Sequence, residues 1–333
     1  MEFNRIVIDG CTHYGGEFRG LSQKVIESPL DAFFFTVPGQ MEGFYDCVVE
    51  IGKLYNLFDK KDKKIKIVRT VEDLAEAKKA GEKALIITFQ DPHPIENSFD
   101  KLRVLYELGL RVVQLTYNKS NYIGTGCTET IDRGLTDFGK EAVKKMNEMG
   151  IIIDLSHCSK QTALDVLKIS ESPIIFSHAN INNLTKNPRN RTDEELILLK
   201  KNGGVIGLTS WGPLCWNTTK KTRATLDEFI EHIAYVVNMI GIDHVGFGSD
   251  NILDERKDLS DIRKQSLLYP GVVAEHDKYI GTKPEVRHAV GIDGIWDIDN
   301  VINKLMKKGY TSEDIDKFLG GNFLRIIKKV WKY

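Results

Sequence analysis

The chain has 333 residues, of which 41% are hydrophobic and 28% charged, and its 46 basic and 47 acidic residues leave a formal net charge of −1. This composition is typical of a globular protein with a sizeable core, and the lack of a basic excess argues against a general nucleic-acid binder. Five cysteines in a chain of this length do not form a disulfide framework, and no apolar run approaches the ~18 residues of a membrane span.

Short runs of β-branched and aromatic residues recur along the chain, separated by amphipathic stretches. Most of these runs are continuous rather than alternating, which is typical of parallel strands covered on both faces. In chain order the predicted strands are Ile6–Asp9, Ala32–Val37, Ala84–Gln90, Arg111–Tyr117, Ile151–His157, Ile174–His178, Val205–Ser210 and Val245–Asp250. The segment Lys64–Val68 is predicted to be a ninth, peripheral strand.

Helix signals lie between these runs. Thr192 and Thr225 each precede a glutamate by three residues, as in a capping box, and their helices are predicted to end near Gly203 and Gly241. Two further helices are predicted, one from Asp137 to Met149 and one from Ser159 to about Ser170.

Eight strands with helices between most of them predict an α/β fold, a (β/α)8 TIM barrel. Length alone would favour two domains, but the strand count favours a single barrel domain over 1–333. The region 254–294 shows no clear periodicity and is predicted to be a long loop that leads to C-terminal helices. The N-terminal residues lack a basic region followed by an apolar one, so we expect no signal peptide and a cytoplasmic location.

Catalytic groups in such barrels lie at the carboxyl ends of the strands. Four of the eight histidines fall at or near predicted strand ends, and imidazole is the commonest metal ligand. The strand ends carry Cys11, His13, Gln90, His93, Tyr117, Asn118, His157, His178, Asn180, Trp211 and Asp250. Two histidines that end adjacent strands can converge on one ion, so we expect a metal site there.

Each candidate has a structural alternative. His157 and His178 are metal ligands or satisfied core histidines, and Cys11 is a ligand or a small buried apolar residue. Asp250 is a catalytic or ligating carboxylate, or else a helix cap. Tyr117 acts in the site or only packs, and Trp211 is predicted to be a pocket wall. His276 and His288, in the predicted loop, are expected to be surface residues or part of a lid.

Several motifs of the sequence occur together in a known order. They are Gly134-Leu-Thr-Asp-Phe-Gly139, Ile153-Asp-Leu-Ser-His157, Phe176-Ser-His178, Asn187-Pro-Arg-Asn190, Gly246-Phe-Gly-Ser-Asp250 and Gly320-Gly-Asn-Phe-Leu-Arg325. With these motifs the chain resembles the renal (membrane) dipeptidase family, in register from about Ile8 to Arg325.

The resemblance implies a (β/α)8 barrel with a two-zinc site that hydrolyses dipeptides. It implies that His157 and His178 are metal ligands. It also implies that Arg189 holds the substrate carboxylate and that Asp250 moves the proton. A planar guanidinium suits Arg189's task because it pairs bidentately with a carboxylate.

The chain departs from the family pattern at four positions. Cys11 replaces a histidine ligand, His13 replaces an aspartate ligand, Gln90 replaces the bridging glutamate, and Tyr117 replaces a histidine that faces the substrate carbonyl. Two divalent cations ~3.5–4 Å apart need bridging anions, so the loss of two carboxylates predicts one metal rather than two. Zn²⁺ is the expected ion, and another divalent metal is the alternative.

The sequence thus predicts a metallo-dipeptidase-like hydrolase that cleaves a dipeptide or a similar small carboxylate-bearing amide. We assign catalysis to Asp250, Tyr117 and His93, substrate binding to Arg189, Asn180 and Trp211, and metal binding to His157, His178, Gln90, Cys11 and His13. The alternative is a catalytically silent or chemically diverged barrel that binds a small carboxylated ligand. The expected partner is a small-molecule or dipeptide substrate, with neither nucleic acid nor membrane, and a homodimer is the assembly to test.

Overall fold

The computed structural model describes residues 5–13, 21–37, 42–58, 64–253 and 267–332. Within these ranges the strands are β1 (Ile8–His13), β2 (Ala32–Thr36), β3 (Ile65–Ile67), β4 (Lys83–Phe89), β5 (Leu110–Gln114), β6 (Ile152–Asp154), β7 (Ile175–Ala179), β8 (Val205–Leu208), β9 (Val245–Phe247) and β10 (Asn251–Ile252). The helices are α1 (Gln23–Glu27), α2 (Phe44–Phe58), α3 (Val71–Ala80), α4 (Phe99–Glu107), α5 (Asp137–Met149), α6 (Lys160–Ile169), α7 (Asp193–Asn202), α8 (Gly212–Cys215), α9 (Leu226–Ile240), α10 (Pro270–Tyr279), α11 (Ile298–Lys307), α12 (Ser312–Asp316) and α13 (Asn322–Val330).

The strands form one parallel sheet that closes into a barrel. The pairing order is β10-β1-β2-β4-β5-β6-β7-β8-β9. Because β9 and β10 are two pieces of one chain segment, separated by three residues, the last strand position joins both β8 and β1. The backbone N–H of Asp250, within this interruption, donates to the carbonyl of Cys11. The predicted (β/α)8 fold is confirmed.

All eight predicted strands are present, and Lys64–Val68 contains the expected peripheral strand, β3, which pairs with β4. The main difference lies in β1, which continues to His13 instead of ending at Asp9. The extension arises because residues 12 and 13 pair with β10, a contact between distant parts of the chain. Cys11 and His13 are therefore inside the strand and share one face.

The helix boundaries follow local chemistry. Thr192 and Thr225 form the predicted capping boxes, and Ser159 caps α6. α7 ends at Gly203 in the left-handed conformation and α9 ends at Gly241, also with positive φ. Among the helices of the described residues, none is long and apolar enough to cross a membrane.

The predicted long loop at 254–294 is only partly described, since 254–266 lie outside the described residues. The prediction of an unstructured loop is wrong for Pro270–Tyr279, which form α10. Proline at the first helical position starts this helix without the loss of a needed hydrogen bond. Its weak amphipathic pattern explains why periodicity did not reveal it.

The apolar residues of the strands alternate between two clusters. Phe33 and Phe35 on β2 pack with the surrounding helices, whereas Phe34 packs with Phe323 of α13, at a ring-centroid distance of 5.4 Å. A Cβ atom at Gly246 would lie 2.6 Å from the Phe323 ring, so this glycine makes room for the aromatic side chain. The apolar face of the C-terminal helix therefore packs against the inward-facing side chains of the strands, and the carboxyl ends of the strands are left for chemistry.

Candidate active site

Four of the predicted site residues come together at the carboxyl end of the barrel. Cys11 lies in β1, His157 follows β6, His178 lies in β7, and Asp250 lies between β9 and β10. The two histidines and Cys11 are buried. The backbone φ of Asp250 is +58°, a conformation that non-glycine residues adopt rarely and that often accompanies functional positions.

The imidazoles of His157 and His178 face each other through their Nε2 atoms, which lie 2.9 Å apart. Burial lowers the pKa of both side chains, to about 4 for His178, so both rings are neutral at physiological pH. The ring of Tyr117 stacks on His157 at a centroid distance of 4.2 Å. Two neutral imidazoles that converge in this way are well suited to share a cation.

A chain of hydrogen bonds orients His178. The Ser177 hydroxyl donates to Oδ2 of Asp154, so its oxygen is left to accept from Nδ1–H of His178 at 2.7 Å. Oδ1 of Asp154 accepts from the Ser156 hydroxyl and from two backbone N–H groups. With the proton on Nδ1, the lone pair of His178 Nε2 points toward His157, as in a metal ligand whose other nitrogen is anchored.

Cys11 and Asp250 complete the cluster. Sγ of Cys11 lies 3.7 Å from Oδ1 of Asp250, and ligand atoms of Cys11, His178 and Asp250 all lie within 4.8 Å of one another. The amide Nε2 of Gln90 donates to Sγ of Cys11 at 2.7 Å. Nε2 of His13 lies 3.2 Å from the Asp250 carbonyl oxygen and 3.8 Å from Oδ1.

The Cys11 thiol and the Asp250 carboxyl group differ in their protonation at neutral pH. Burial raises the pKa of the Cys11 thiol, and the nearby Asp250 and Asp154 carboxylates raise it further. For Asp250, burial alone would raise the pKa, but the adjacent His178, His13 and Arg189 outweigh it and lower that pKa. Asp250 is therefore a carboxylate at neutral pH, and Cys11 would lose its proton on binding a metal.

The donor set fits a divalent cation of zinc type. A thiolate, imidazole nitrogens and a carboxylate are the ligands that Zn²⁺ takes in proteins. The physical argument for a cation is the convergence of two neutral imidazoles, whose Nε2 atoms lie 2.9 Å apart, with a thiol and a carboxylate beside His178. His157, His178, Cys11 and Asp250 are the residues that could hold it.

Arg189 lies beside this cluster and is 2% exposed. Its guanidinium donates to the backbone carbonyl oxygens of Ser156 and His178. Within the described part of the chain its partners are these carbonyls and no carboxylate, whereas the neighbouring Arg191 is paired with Glu195 at 3.1 Å. A buried guanidinium without an anionic partner is suited to a carboxylate ligand.

Three other predicted residues have different outcomes. Asn180 is fully buried, and its amide donates to the Thr209 carbonyl oxygen and accepts from the Thr209 N–H, so each polar atom of the side chain already has a backbone partner. Its assignment to substrate binding stays a prediction. Trp211 is half-buried after the end of β8, and its backbone forms an isolated antiparallel β-bridge with that of His288. His93 lies in a short 3₁₀ turn, where its backbone N–H donates to Asp91, and its recorded contacts do not include the metal cluster.

Sequence reasoning missed the groups that orient the ligands. Asp154 and Ser177 belong to motifs already singled out, but only their histidines received a role. Oδ1 of Asn118 lies 2.7 Å from Nδ1 of His157. His288, expected at the surface or in a lid, has Nδ1 3.2 Å from the Ser210 hydroxyl and accepts at Nε2 from Asn251, the neighbour of Asp250.

A cavity of about 330 Å³ lies between the segment 119–129, Pro188 and the start of α10. Both apolar and charged residues form its lining, namely Lys119, Cys127, Thr128, Glu129, Pro188, Leu268, Tyr269, Pro270 and Gly271. The Tyr269 ring contacts the Tyr117 ring at a centroid distance of 5.7 Å. Tyr269 therefore connects the cavity to the aromatic side chain that stacks on His157, and Pro188 in its lining is the chain neighbour of Arg189.

Comparisons with known proteins agree with this geometry. The family model described as membrane dipeptidase (peptidase family M19) matches residues 23–276. The dipeptidase verJ of Clonostachys rogersoniana is 31% identical over 285 residues, which cover 84% of this chain and 71% of that protein. The dipeptidase tcpJ of Claviceps purpurea is 28% identical, with 86% and 60% covered, so the match spans about three fifths of that relative's length.

Solved structures show the same architecture. An amidohydrolase from Pseudomonas aeruginosa has a TM-score of 0.85 at 30% identity, with 98% of this chain and 97% of that chain covered. A metallo peptidase from Rhodobacter sphaeroides, liganded with a phosphinate mimic of the dipeptide L-Ala-D-Ala, has a TM-score of 0.77 at 19% identity, with 98% and 100% covered. The second likeness concerns the fold alone.

Proposed function

The chain belongs to the membrane dipeptidase family, peptidase family M19, and from this premise we propose that it is a metal-dependent hydrolase of dipeptides or similar small carboxylate-bearing amides. The observation that carries the proposal is the convergence of His157 and His178 through their Nε2 atoms at 2.9 Å, with Cys11 and Asp250 beside them. The dipeptidase names of the fungal relatives support the same substrate class.

We assign the metal site to His157, His178 and Cys11, and propose one Zn²⁺ whose fourth position is left for water, with Asp250 beside it as the base. A second ion would need anionic ligands on the β1–β4 side of the cluster. There Gln90 is neutral and directs its N–H toward Cys11, and His13 directs Nε2 toward the Asp250 carbonyl. The role of Gln90 in this proposal is to stabilise the thiolate form of Cys11 rather than to bridge two ions.

The bound cation would lower the pKa of a water molecule and polarise the scissile carbonyl group. Asp250, ionised at neutral pH, accepts the proton of the attacking water and returns it to the leaving amine. Burial and the Asp250 charge raise the pKa of the Tyr117 phenol, which therefore keeps its proton and can donate to the developing oxyanion. Tyr117 is preferred over His93 for this role because it stacks on His157.

Substrate binding is assigned to Arg189, which pairs with the substrate carboxylate. The side chain of the carboxylate-bearing residue then occupies the adjacent cavity between Pro188, Thr128 and Tyr269. Trp211 is kept as a wall of the pocket. The size of this cavity favours dipeptides whose C-terminal residue carries a side chain of moderate size, in contact with apolar residues and with the charged Lys119 and Glu129.

The test combines metal content with turnover. The chain is stripped with a chelator, reloaded with Zn²⁺, Mn²⁺ or Co²⁺, and assayed against a panel of dipeptides. We expect metal-dependent hydrolysis, which His178→Ala abolishes together with metal binding. His232→Asn is the matched control, because His232 is also buried but lies on α9 and accepts from the Ile181 N–H. Ligand binding without hydrolysis under any metal would support the binding-protein alternative and refute the proposal.

A further inference from the structure

We propose that Asn118 is a positioning residue that holds His157 with its proton on Nδ1, so that Nε2 is free to ligate the metal. Oδ1 of Asn118 lies 2.7 Å from Nδ1 of His157, and both side chains are buried. The metal part of this inference rests on the proposed function. The hydrogen-bond part concerns the protein alone and is tested separately below.

The chemistry of the two groups determines the direction of this hydrogen bond. A neutral imidazole has one N–H donor and one lone pair, whereas an amide oxygen only accepts. The ring proton must therefore lie on Nδ1, and the lone pair on Nε2 points toward His178. A free histidine favours neither arrangement strongly, so the neighbour of Nδ1 decides which nitrogen binds a metal.

A second donor orients the Asn118 amide. The thiol of Cys127 donates to the same oxygen, with Sγ 3.2 Å from Oδ1. Burial raises the pKa of this thiol, so its proton is retained. Two donors on one atom favour the amide orientation that presents oxygen, not nitrogen, to His157.

The loop 118–128 holds Asn118 in place. The backbone φ of Asn118 is +59°, a conformation that asparagine tolerates better than most other residues with a side chain. The Asn118 carbonyl oxygen accepts from the N–H and the hydroxyl of Thr128, at 2.9 and 2.8 Å. A Cβ atom at Gly126 would lie 2.3 Å from that carbonyl group, so only glycine allows this approach.

The same loop also contacts the histidine it serves. The N–H of Cys127 donates to the His157 carbonyl oxygen at 3.0 Å. Cys127 thus links the backbone of His157 to the amide that orients its ring. The two metal-facing imidazoles are oriented by different acceptors, a serine hydroxyl for His178 and the Asn118 amide for His157.

The first experiment measures the tautomer of His157 in the metal-free wild-type chain by ¹⁵N NMR, with His157→Gln used to assign the signal. We expect the Nδ1–H form. The Nε2–H form would overturn the inference, and it would do so whether or not the chain is a hydrolase.

The second experiment compares two variants that keep the backbone conformation accessible. Asn118→Gly removes the acceptor and tolerates positive φ, whereas Asn118→Asp keeps an acceptor oxygen. We expect the Zn²⁺ dissociation constant, measured by competition with a chromogenic chelator, to rise ~10–100-fold in Asn118→Gly and to stay near or below the wild-type value in Asn118→Asp.

Asn121→Gly is the matched control in the same loop. Asn121 donates to the Leu115 carbonyl oxygen and accepts from the N–H groups of Ile123 and Gly124, but it does not contact His157. Its Zn²⁺ affinity should remain near wild type. A purely structural role for Asn118 would give equal losses in Asn118→Gly and Asn121→Gly without rescue by Asn118→Asp, and that result overturns the inference. Failure of the wild-type chain to bind Zn²⁺ would refute the proposed function and leave the tautomer result standing.

Discussion

The number of metal ions offers the sharpest test of the charge argument. The perturbation is the double substitution Gln90→Glu with His13→Asp, which adds two carboxylates on the side of the cluster where Gln90 contacts Cys11 and His13 contacts Asp250. Gln90→Glu is isosteric, and the side chain of His13 is 30% exposed, so neither change overfills a packed core. We expect wild type to bind one ion and the double variant to bind two.

The expectation follows from the distances. Two divalent cations ~3.5–4 Å apart repel by about 18 kcal/mol at an effective dielectric of about 20. On this side of the cluster, Oδ1 of Asp250 lies 3.7 Å from Sγ of Cys11 and 3.8 Å from Nε2 of His13. A carboxylate about 4 Å from a divalent cation offsets about 8 kcal/mol at the same dielectric, so two carboxylates nearly cancel the repulsion.

The assay is elemental analysis of metal per chain after reloading with excess Zn²⁺ and removal of unbound ions. Gln90→Met with His13→Asn is the uncharged control and should hold one ion. In the absence of metal, the double variant should also melt at a lower temperature than wild type, because the new carboxylate beside the Cys11 sulfur lacks a counter-charge. Equal stoichiometry in wild type and double variant would refute the charge argument.

Three further predictions concern the substrate site and the core. Arg189→Lys should raise KM for dipeptides roughly 10–100-fold with little change in kcat. The reason is that a single ammonium replaces a guanidinium that binds the carboxylate with two hydrogen bonds, and the lost hydrogen bond to a charged group contributes ~1.5–3 kcal/mol. An equal rise in KM for C-terminally amidated dipeptides would contradict a carboxylate-binding role. Gly271→Trp should lower kcat/KM for dipeptides with a bulky C-terminal residue about tenfold more than for those ending in glycine. A Cβ atom at Gly271 meets open space beside the cavity, and Gly52→Trp, equally open on α2, is its control. Burial lowers the pKa of His232 from the ordinary 6.5 to about 3. As the pH falls, this histidine therefore takes up a proton in the unfolded state before it does so in the folded state. The free energy of unfolding should fall by about 1.4 kcal/mol per pH unit as the pH drops below about 6.5. In chemical denaturation, His232→Asn should reduce this slope, and an unchanged slope would show that His232 does not contribute.

The sequence was sufficient for the barrel because its signals are local. Each inner strand is covered on both faces, so it appears as a continuous apolar run. A capping residue begins and a glycine ends several of the adjoining helices, such as α5 and α7. The exception, α10, lacks a clear amphipathic pattern and begins at Pro270, where only the fold around it favours a helix.

Positions of ligands were also predictable, because the carboxyl ends of parallel strands meet at one end of a barrel. His157, His178, Cys11 and Asp250 were all singled out from that rule and from the family motifs. Asn180 followed the same rule, and its role in substrate binding stays a prediction. Strand-end position does not reveal that the Thr209 backbone already uses its amide.

What only the tertiary structure decided is the set of contacts between residues far apart in the chain. Asn118 reaches His157 across 39 residues, and His288 reaches Asn251 across 37. Such contacts depend on where loops return to the barrel and on single hydrogen-bond directions, neither of which leaves a periodic trace in the sequence. The composition and apolar pattern therefore determined the barrel and which of its ends holds the active site. The tautomers, charges and hydrogen-bond partners of the ligands depend on side chains from distant parts of the chain, which only the folded structure brings within hydrogen-bonding distance.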